Sequence, residues 1–247
     1  MVLAAGLGTR LRPLTDDRPK ALVEVGGRTL LEVTLTALRD FGVSEVIINL
    51  HHFADMVQGY LTANNNFGLQ IEISREERLL DTGGGLKKAA YFFQRNGGRE
   101  EPFILHNVDV ISNIDIAQML EYHIEKKALA TLAVQGRETA RCLLFDDSLE
   151  LCGRRAGKDG ELQLVRPAPN PLALAFSGIH VISPRFLQMM TEVGVFSIID
   201  TYLRLAAQEE KIAGFRADQY YWRDLGRPEH VAQAAEDIAA KRIVLNN

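Results

Sequence analysis

Apolar residues in positions 1–135 follow two alternating rhythms. Short β-rich runs near 2–5, 45–49, 70–74, 103–107 and 130–134 predict strands. Between them, apolar positions at every third or fourth place predict helices over 29–41, 54–63, 84–94 and 116–126. The first of these helices carries its own start signal, because Thr29-Leu30-Leu31-Glu32 has capping-box spacing and Leu31, Leu35 and Leu38 fall on one face. Strands and helices alternating in this way build right-handed βαβ units, so the expected class is α/β, with a Rossmann-like, mostly parallel sheet flanked by helices.

Beyond Gln135 the rhythm shortens. Pieces of β character at 142–145, 149–152 and 162–165, separated by Asp146-Asp147 and Lys158-Asp159-Gly160, predict a small β-rich insertion or lid. Residues 176–181 read as a strand returning to the core, helices are expected from Arg185 and Ser197, and Pro228 suits the first turn of a last helix. A single domain over 1–247 is expected, with halves near 1–135 and 136–247. Such a length, 47% of it hydrophobic, is enough to bury a substantial core.

The net charge of -4 and the lack of any Lys/Arg run argue against a nucleic-acid backbone as partner. No apolar stretch of about eighteen residues follows the opening run, so neither a membrane span nor a signal peptide is expected and the location implied is cytoplasmic. Cys142 and Cys152 are expected to be reduced core thiols. His51 and His52 would point to opposite sides of a strand and are read as loop residues rather than metal ligands.

Candidate chemistry is concentrated at the start. The first apolar run breaks into Gly6-Leu7-Gly8-Thr9-Arg10-Leu11-Arg12-Pro13-Leu14-Thr15, followed by Arg18-Pro19-Lys20. Two glycines after a strand let backbone N–H groups approach an anion, and Arg10 and Lys20 add positive charge to that cradle. A dinucleotide fingerprint is excluded because Leu11 stands where its third glycine belongs, and the run near 45–49 ends at Asn49 rather than at an acid. The Walker spacing is missing altogether.

The string from Leu3 to Thr15 with Pro19-Lys20 resembles the signature of the sugar-1-phosphate nucleotidyltransferases. That resemblance implies a GT-A-like nucleotidyltransferase fold, a nucleotide-binding half followed by a sugar-binding half, and nucleotide contacts from Leu3, Ala4, Ala5, Gly6, Gly8, Thr9 and Arg10. It also implies transfer of a nucleotidyl group from an NTP to a sugar 1-phosphate with release of pyrophosphate. An anionic nucleophile must then meet an anionic electrophile, so catalysis rests on positioning, on cations and on Mg²⁺ held by hard oxygen ligands. Arg10, Lys20 and Asp109 are the implied catalytic residues. Asp109 follows the run at 103–107, at the carboxyl end of a strand, where α/β folds bind ligands. Asp224, in Trp222-Arg223-Asp224-Leu225-Gly226, resembles the late W-x-D-x-G motif and would hold the metal with Asp109. Where the family often has Gly-Asp, this chain has Val108-Asp109, and valine removes a point of close backbone approach.

Thr82-Gly83-Gly84-Gly85 resembles the base-contacting T-[AG]-G segment, with Gly84 as the implied contact. On the sugar side, Phe176-Ser177-Gly178 resembles the strand lining the sugar pocket, Asn170 and Asp200 would meet hydroxyls, and Arg166 stands nearest to the place of a phosphate-gripping lysine. Taken together, these motifs and the compact length look most like the uridylyltransferases acting on N-acetylmuramate 1-phosphate in cell-wall recycling. Guanylyl transfer to mannose or heptose 1-phosphate is the alternative. A catalytically inactive nucleotide-sugar sensor is a third reading, opposed by the intact Arg10, Lys20, Asp109 and Asp224. A monomer or small homo-oligomer without an added β-helix or acetyltransferase domain is expected.

Overall fold

The computed structural model describes residues 1–95, 101–156 and 160–244. Its strands are β1 (Val2–Leu3), β2 (Glu24–Val25), β3 (Arg28–Thr29), β4 (Glu45–Leu50), β5 (Gln70–Arg75), β6 (Phe103–Asn107), β7 (Val110–Ser112), β8 (Ala130–Gln135), β9 (Leu143–Phe145), β10 (Leu151–Ala156), β11 (Glu161–Leu164), β12 (Leu172–Ile182), β13 (Ile212–Arg216) and β14 (Trp222–Asp224). The helices are α1 (Leu30–Asp40), α2 (Ala54–Ala63), α3 (Asp81–Lys88), α4 (Ala90–Phe93), α5 (Ile116–Lys126), α6 (Arg185–Gln188), α7 (Ile198–Ala207) and α8 (Pro228–Ala239). The chain divides into two compact units, one formed by 1–79, 106–114 and 220–247 and the other by 80–105 and 115–219.

In the first unit β1 lies between β4 and the end of β6, with β5 beyond β4, and these three pairings are parallel. Strands enclosed in this way read as continuous apolar runs. Thr29 caps α1 by accepting the Glu32 N–H at 3.1 Å, as the capping-box spacing predicts. The reciprocal half of the box is not made there, because Glu32 pairs instead with Arg28 and accepts from Tyr60. A second core beneath the first loop joins Leu11, Val23, Leu30, Val33, Ile111, Leu225, Val231 and Ala234, so it draws on chain segments far apart in sequence.

The second unit pairs β8 in parallel with β13 and antiparallel with β12, while β9, β10 and β11 continue antiparallel from β12. The last three form the expected β-rich insertion. Register shifts between Phe176 and His180, where Gly178 takes a φ of 76° that favours glycine. The helix expected over 84–94 starts earlier, at Asp81, and breaks after Lys88 into α3 and α4. Cys142 and Cys152 are free and buried. No helix among the described residues is long and apolar enough to cross a membrane.

Candidate active site

At the end of β1 the Ala4 N–H donates to Asn49 Oδ1 at 2.8 Å, and Asn49 Nδ2 donates to Glu76 Oε1 at 2.8 Å. These buried polar groups fix the chain as it leaves the sheet. Gly8 then adopts a φ of 63°, and a Cβ placed there would lie 3.0 Å from Thr15 Cγ2 and 3.1 Å from Lys20 Cβ. The loop closes on the Gly8 carbonyl, which accepts from the Leu11 N–H at 2.8 Å and the Thr15 hydroxyl at 2.9 Å. Leu11 is fully buried and anchors the loop, leaving Gly6, Thr9 and Arg10 exposed.

Lys20 forms an ion pair with Asp109, and both side chains are largely sequestered at 12% and 16% exposure. The second acid arrives through a two-stranded ribbon. Antiparallel β7 and β14 place Asp224 opposite Val110, and the Leu225 N–H donates to the Asp109 carbonyl at 2.8 Å. Gly226 follows in a crowded place, since a Cβ there would lie 2.7 Å from Asp224 Oδ1 and 3.0 Å from Arg10 Nη2. Its N–H donates to Asp224 Oδ1 at 2.8 Å. His230 Nδ1–H donates to the Asp224 carbonyl at 2.8 Å from the first turn of α8. The first unit therefore brings Arg10, Lys20, Asp109 and Asp224 to one locality, as their motifs imply.

Two cations and two carboxylates suit a polyanion that arrives with a divalent cation. Asp109 and Asp224 are hard oxygen donors, and the described residues contain no cluster of three or more His, Cys, Asp or Glu able to cage an ion. A pair of carboxylates completed by phosphate and water oxygens is what Mg²⁺ uses, so the residues fit it. His106, two positions before Val108, is a neutral ring at neutral pH, because burial pushes its pKa down to about 4, and its Nδ1–H donates to the Asn107 carbonyl at 2.8 Å. Val108 is buried and its carbonyl accepts from the Thr34 hydroxyl at 3.4 Å, so the valine that replaces the family's usual glycine is packed into the interior.

The other candidate residues belong to the second unit. Gly83 and Gly84 lie in the first turns of α3 and both donate their N–H groups to the Phe196 carbonyl, at 3.0 and 3.3 Å. A Cβ on Gly84 would lie 2.6 Å from the Gly194 carbonyl oxygen. Packing against 194–196 thus accounts for these glycines, and their amide protons are already committed. Arg166 is likewise engaged, paired with Asp146 and, at 3.1 Å, with Glu150. Asp200 pairs with Arg154 at 2.8 Å in the first turn of α7, and Asn170 is exposed in the bend before β12. Lys158, in the turn expected within the insertion, lies outside the described residues.

Sequence reasoning gave no role to Thr15, Asn49, Glu76, Gly226 or His230. Thr15 and Gly226 lie inside quoted motifs, so the spacing marked them without revealing the contacts. Nothing local marks Asn49 or Glu76, which meet because β4 and β5 run side by side.

Comparison with known proteins agrees with this architecture. The sequence signature described as Nucleotidyl transferase matches residues 1–142. N-acetylmuramate alpha-1-phosphate uridylyltransferase of Caulobacter vibrioides is 35% identical over 247 residues, covering 97% of this chain and 96% of its own. D-glycero-alpha-D-manno-heptose 1-phosphate guanylyltransferase of Aneurinibacillus thermoaerophilus is 25% identical, covering 96% and 97%. Among solved structures, HddC from Yersinia pseudotuberculosis complexed with GMP-PN superposes with a TM-score of 0.74 at 22% identity, over 96% and 97% of the two chains, which speaks for the fold. The chain belongs to the Nucleotidyl transferase family. Within it, the protein is a sugar-1-phosphate nucleotidyltransferase.

Proposed function

We propose that the enzyme transfers a uridylyl group from UTP to an amino-sugar 1-phosphate of the N-acetylmuramate type, in cell-wall recycling. The observation that carries the chemical part is the Lys20–Asp109 ion pair standing with Arg10 and Asp224 in one unit. An oxygen of the sugar phosphate attacks the α-phosphorus of the nucleotide, the bond from that phosphorus to the bridging oxygen breaks, and pyrophosphate leaves. Lys20 holds oxygens of the reacting phosphates, Arg10 holds the departing pyrophosphate with its planar fork, and the amides of 6–10 line the phosphate path. Asp109 and Asp224 would hold Mg²⁺, which when bound supplies charge neutralisation at the reacting phosphorus.

On the sugar side, Asn170 and Asp200 are proposed as hydroxyl partners, with Gly178 as a further contact. Arg166 is assigned a different part from the one its position suggests: two carboxylates neutralise it, so it braces the β9–β10 hairpin. Gly84 contributes to the nucleotide site by letting α3 pack closely on 194–196. Uridylyl transfer is favoured by the relative that is 35% identical over nearly the full length of both chains. Guanylyl transfer remains the second reading because a full-length relative at 25% identity carries that activity in its name. Pyrophosphate release measured with four NTPs against a panel of sugar 1-phosphates decides between them. UTP with N-acetylmuramate 1-phosphate should give the largest kcat/KM; a larger value for GTP with every acceptor would overturn the uridylyl assignment.

A further inference from the structure

Behind β14 lies a charged group for which the reaction chemistry above has no use. Asp237, in the last turn of α8, is only 2% exposed, yet both of its carboxylate oxygens are engaged. Oδ2 accepts from the Tyr221 hydroxyl at 2.7 Å and from Arg223 Nη2 at 2.8 Å, and Oδ1 accepts from Arg242 Nη1 at 2.7 Å. Arg223 Nε also donates to the Tyr221 oxygen at 3.2 Å, closing the group. The Tyr221 hydrogen bond foremost, then those of Arg242 and Arg223, hold the carboxyl at about 2, so it is ionised throughout the working range.

The placement of Arg223 gives this group its consequence. Arg223 lies in the middle of β14, opposite Ile111, and immediately precedes Asp224. Successive strand side chains point to opposite faces, so a grip on Arg223 holds β14 from the side away from Asp224. Leu225, the next residue, is fully buried against Val231 and Ala234 of α8, and His230 holds the Asp224 carbonyl. Main chain and core thus fix where β14 runs, and the Asp237–Arg223 pair adds a side-chain tether on the face away from Asp224. A tether there bears on where the Asp224 carboxylate is presented. A carboxylate that must bind a metal beside two phosphates tolerates little error in this respect.

We propose that Asp237 is a positioning residue for nucleotidyl transfer, acting through Arg223 on the metal-binding carboxylate of Asp224. The inference rests on the reading of Asp224 as a metal ligand. A partner behind a metal ligand commonly governs affinity at the metal without touching it.

The test titrates Mn²⁺, whose EPR signal reports binding without turnover, into the full chain with an imido analogue of whichever nucleotide supports the reaction. Asp237→Asn keeps the shape of the side chain and removes its charge, while Arg223→Gln breaks the pair from the strand side. Each should weaken Mn²⁺ binding about tenfold. Each should raise the Mg²⁺ concentration for half-maximal rate by the same factor and leave KM for the sugar 1-phosphate at the parent value. The double variant should bind no more weakly than either single one, because both changes act on one contact. Asp224→Asn, measured alongside, separates the two ways of failing. If it leaves Mn²⁺ affinity unchanged, Asp224 is not a metal ligand and the basis of the inference is gone. If it weakens binding while Asp237→Asn and Arg223→Gln bind like the parent, Asp237 is a structural brace and the inference is overturned. Should Asp237→Asn fail to fold, Arg223→Gln decides the question by the same measurements.

Discussion

Lys20 and Asp109 neutralise each other in a largely sequestered pair, so each is exposed to the loss of the other. Lys20→Ala should cost about 10²–10³-fold in kcat, the scale for removing one group that stabilises transition-state charge. Arg10 is exposed and has no such pairing with Asp109, so Arg10→Ala should chiefly raise KM for the NTP. Steady-state kinetics with each substrate varied separates the two, and unchanged NTP dependence in Arg10→Ala would remove Arg10 from the phosphate path. Arg166 invites the opposite expectation from the one that its place in the chain suggests. Since it joins Asp146 and Glu150 on the insertion, Arg166→Ala should lower stability by about 1–3 kcal/mol and leave KM for the sugar 1-phosphate unchanged. A selective rise in that KM, with Tm unmoved, would restore the role of phosphate ligand.

Two glycine segments look alike in sequence and differ in what the structure asks of them. Gly6 has open space where a Cβ would be and no positive φ, so the fold does not require glycine there, whereas Gly84 has the Gly194 carbonyl 2.6 Å from that position. Gly6→Ala should therefore leave Tm unchanged and raise KM for the NTP, because only an approaching phosphate makes the missing Cβ matter. Gly84→Ala should overpack α3 against 194–196 and cost about 1–3 kcal/mol, visible as a lower Tm. Equal Tm losses in the two variants would contradict this division. The same contrast shows what local sequence can express. α2 and α5 are legible to the residue from their apolar periodicity, although only α5 has a capping side chain, Asp115, which accepts the Gln118 N–H at 3.0 Å, while α2 starts at Phe53 without one. The early start of α3 is not legible, since it depends on Thr82 accepting the Ile198 N–H and on the Phe196 carbonyl, both remote in sequence. Strands as short as β7 and β14 have too few residues for a period, yet their pairing is what brings Asp224 to Asp109. The family motif names the site residues; only long-range pairing explains why they meet.

Across the fold, two histidines serve structure as neutral rings. His106 ends the parallel sheet of the first unit and His123 lies in the second, where its ring nitrogens meet the Thr131 and Ser183 hydroxyls at 2.9 and 3.0 Å. Burial lowers both pKa values to about 4. In the unfolded chain each ring titrates near 6.5, so between about 6.5 and 4 the unfolded state binds more protons than the folded one. Stability must then fall as pH drops through that window, by roughly 1.4 kcal/mol per pH unit for each ring, and the full contribution is present only above about 6.5. Asp237 cannot mimic this, because a carboxyl held at about 2 loses its contribution only at lower pH, as acid passes from the ordinary carboxylate range toward that value. Thermal or urea unfolding between pH 7.5 and 5 should accordingly show a declining midpoint. His123→Gln offers an amide to the same two hydroxyls without a titrating group, and its decline should be shallower than that of the parent. A parent midpoint that stays flat from pH 7.5 to 5, or an identical slope in His123→Gln, would show that these rings are not what ties the folded state to neutral pH.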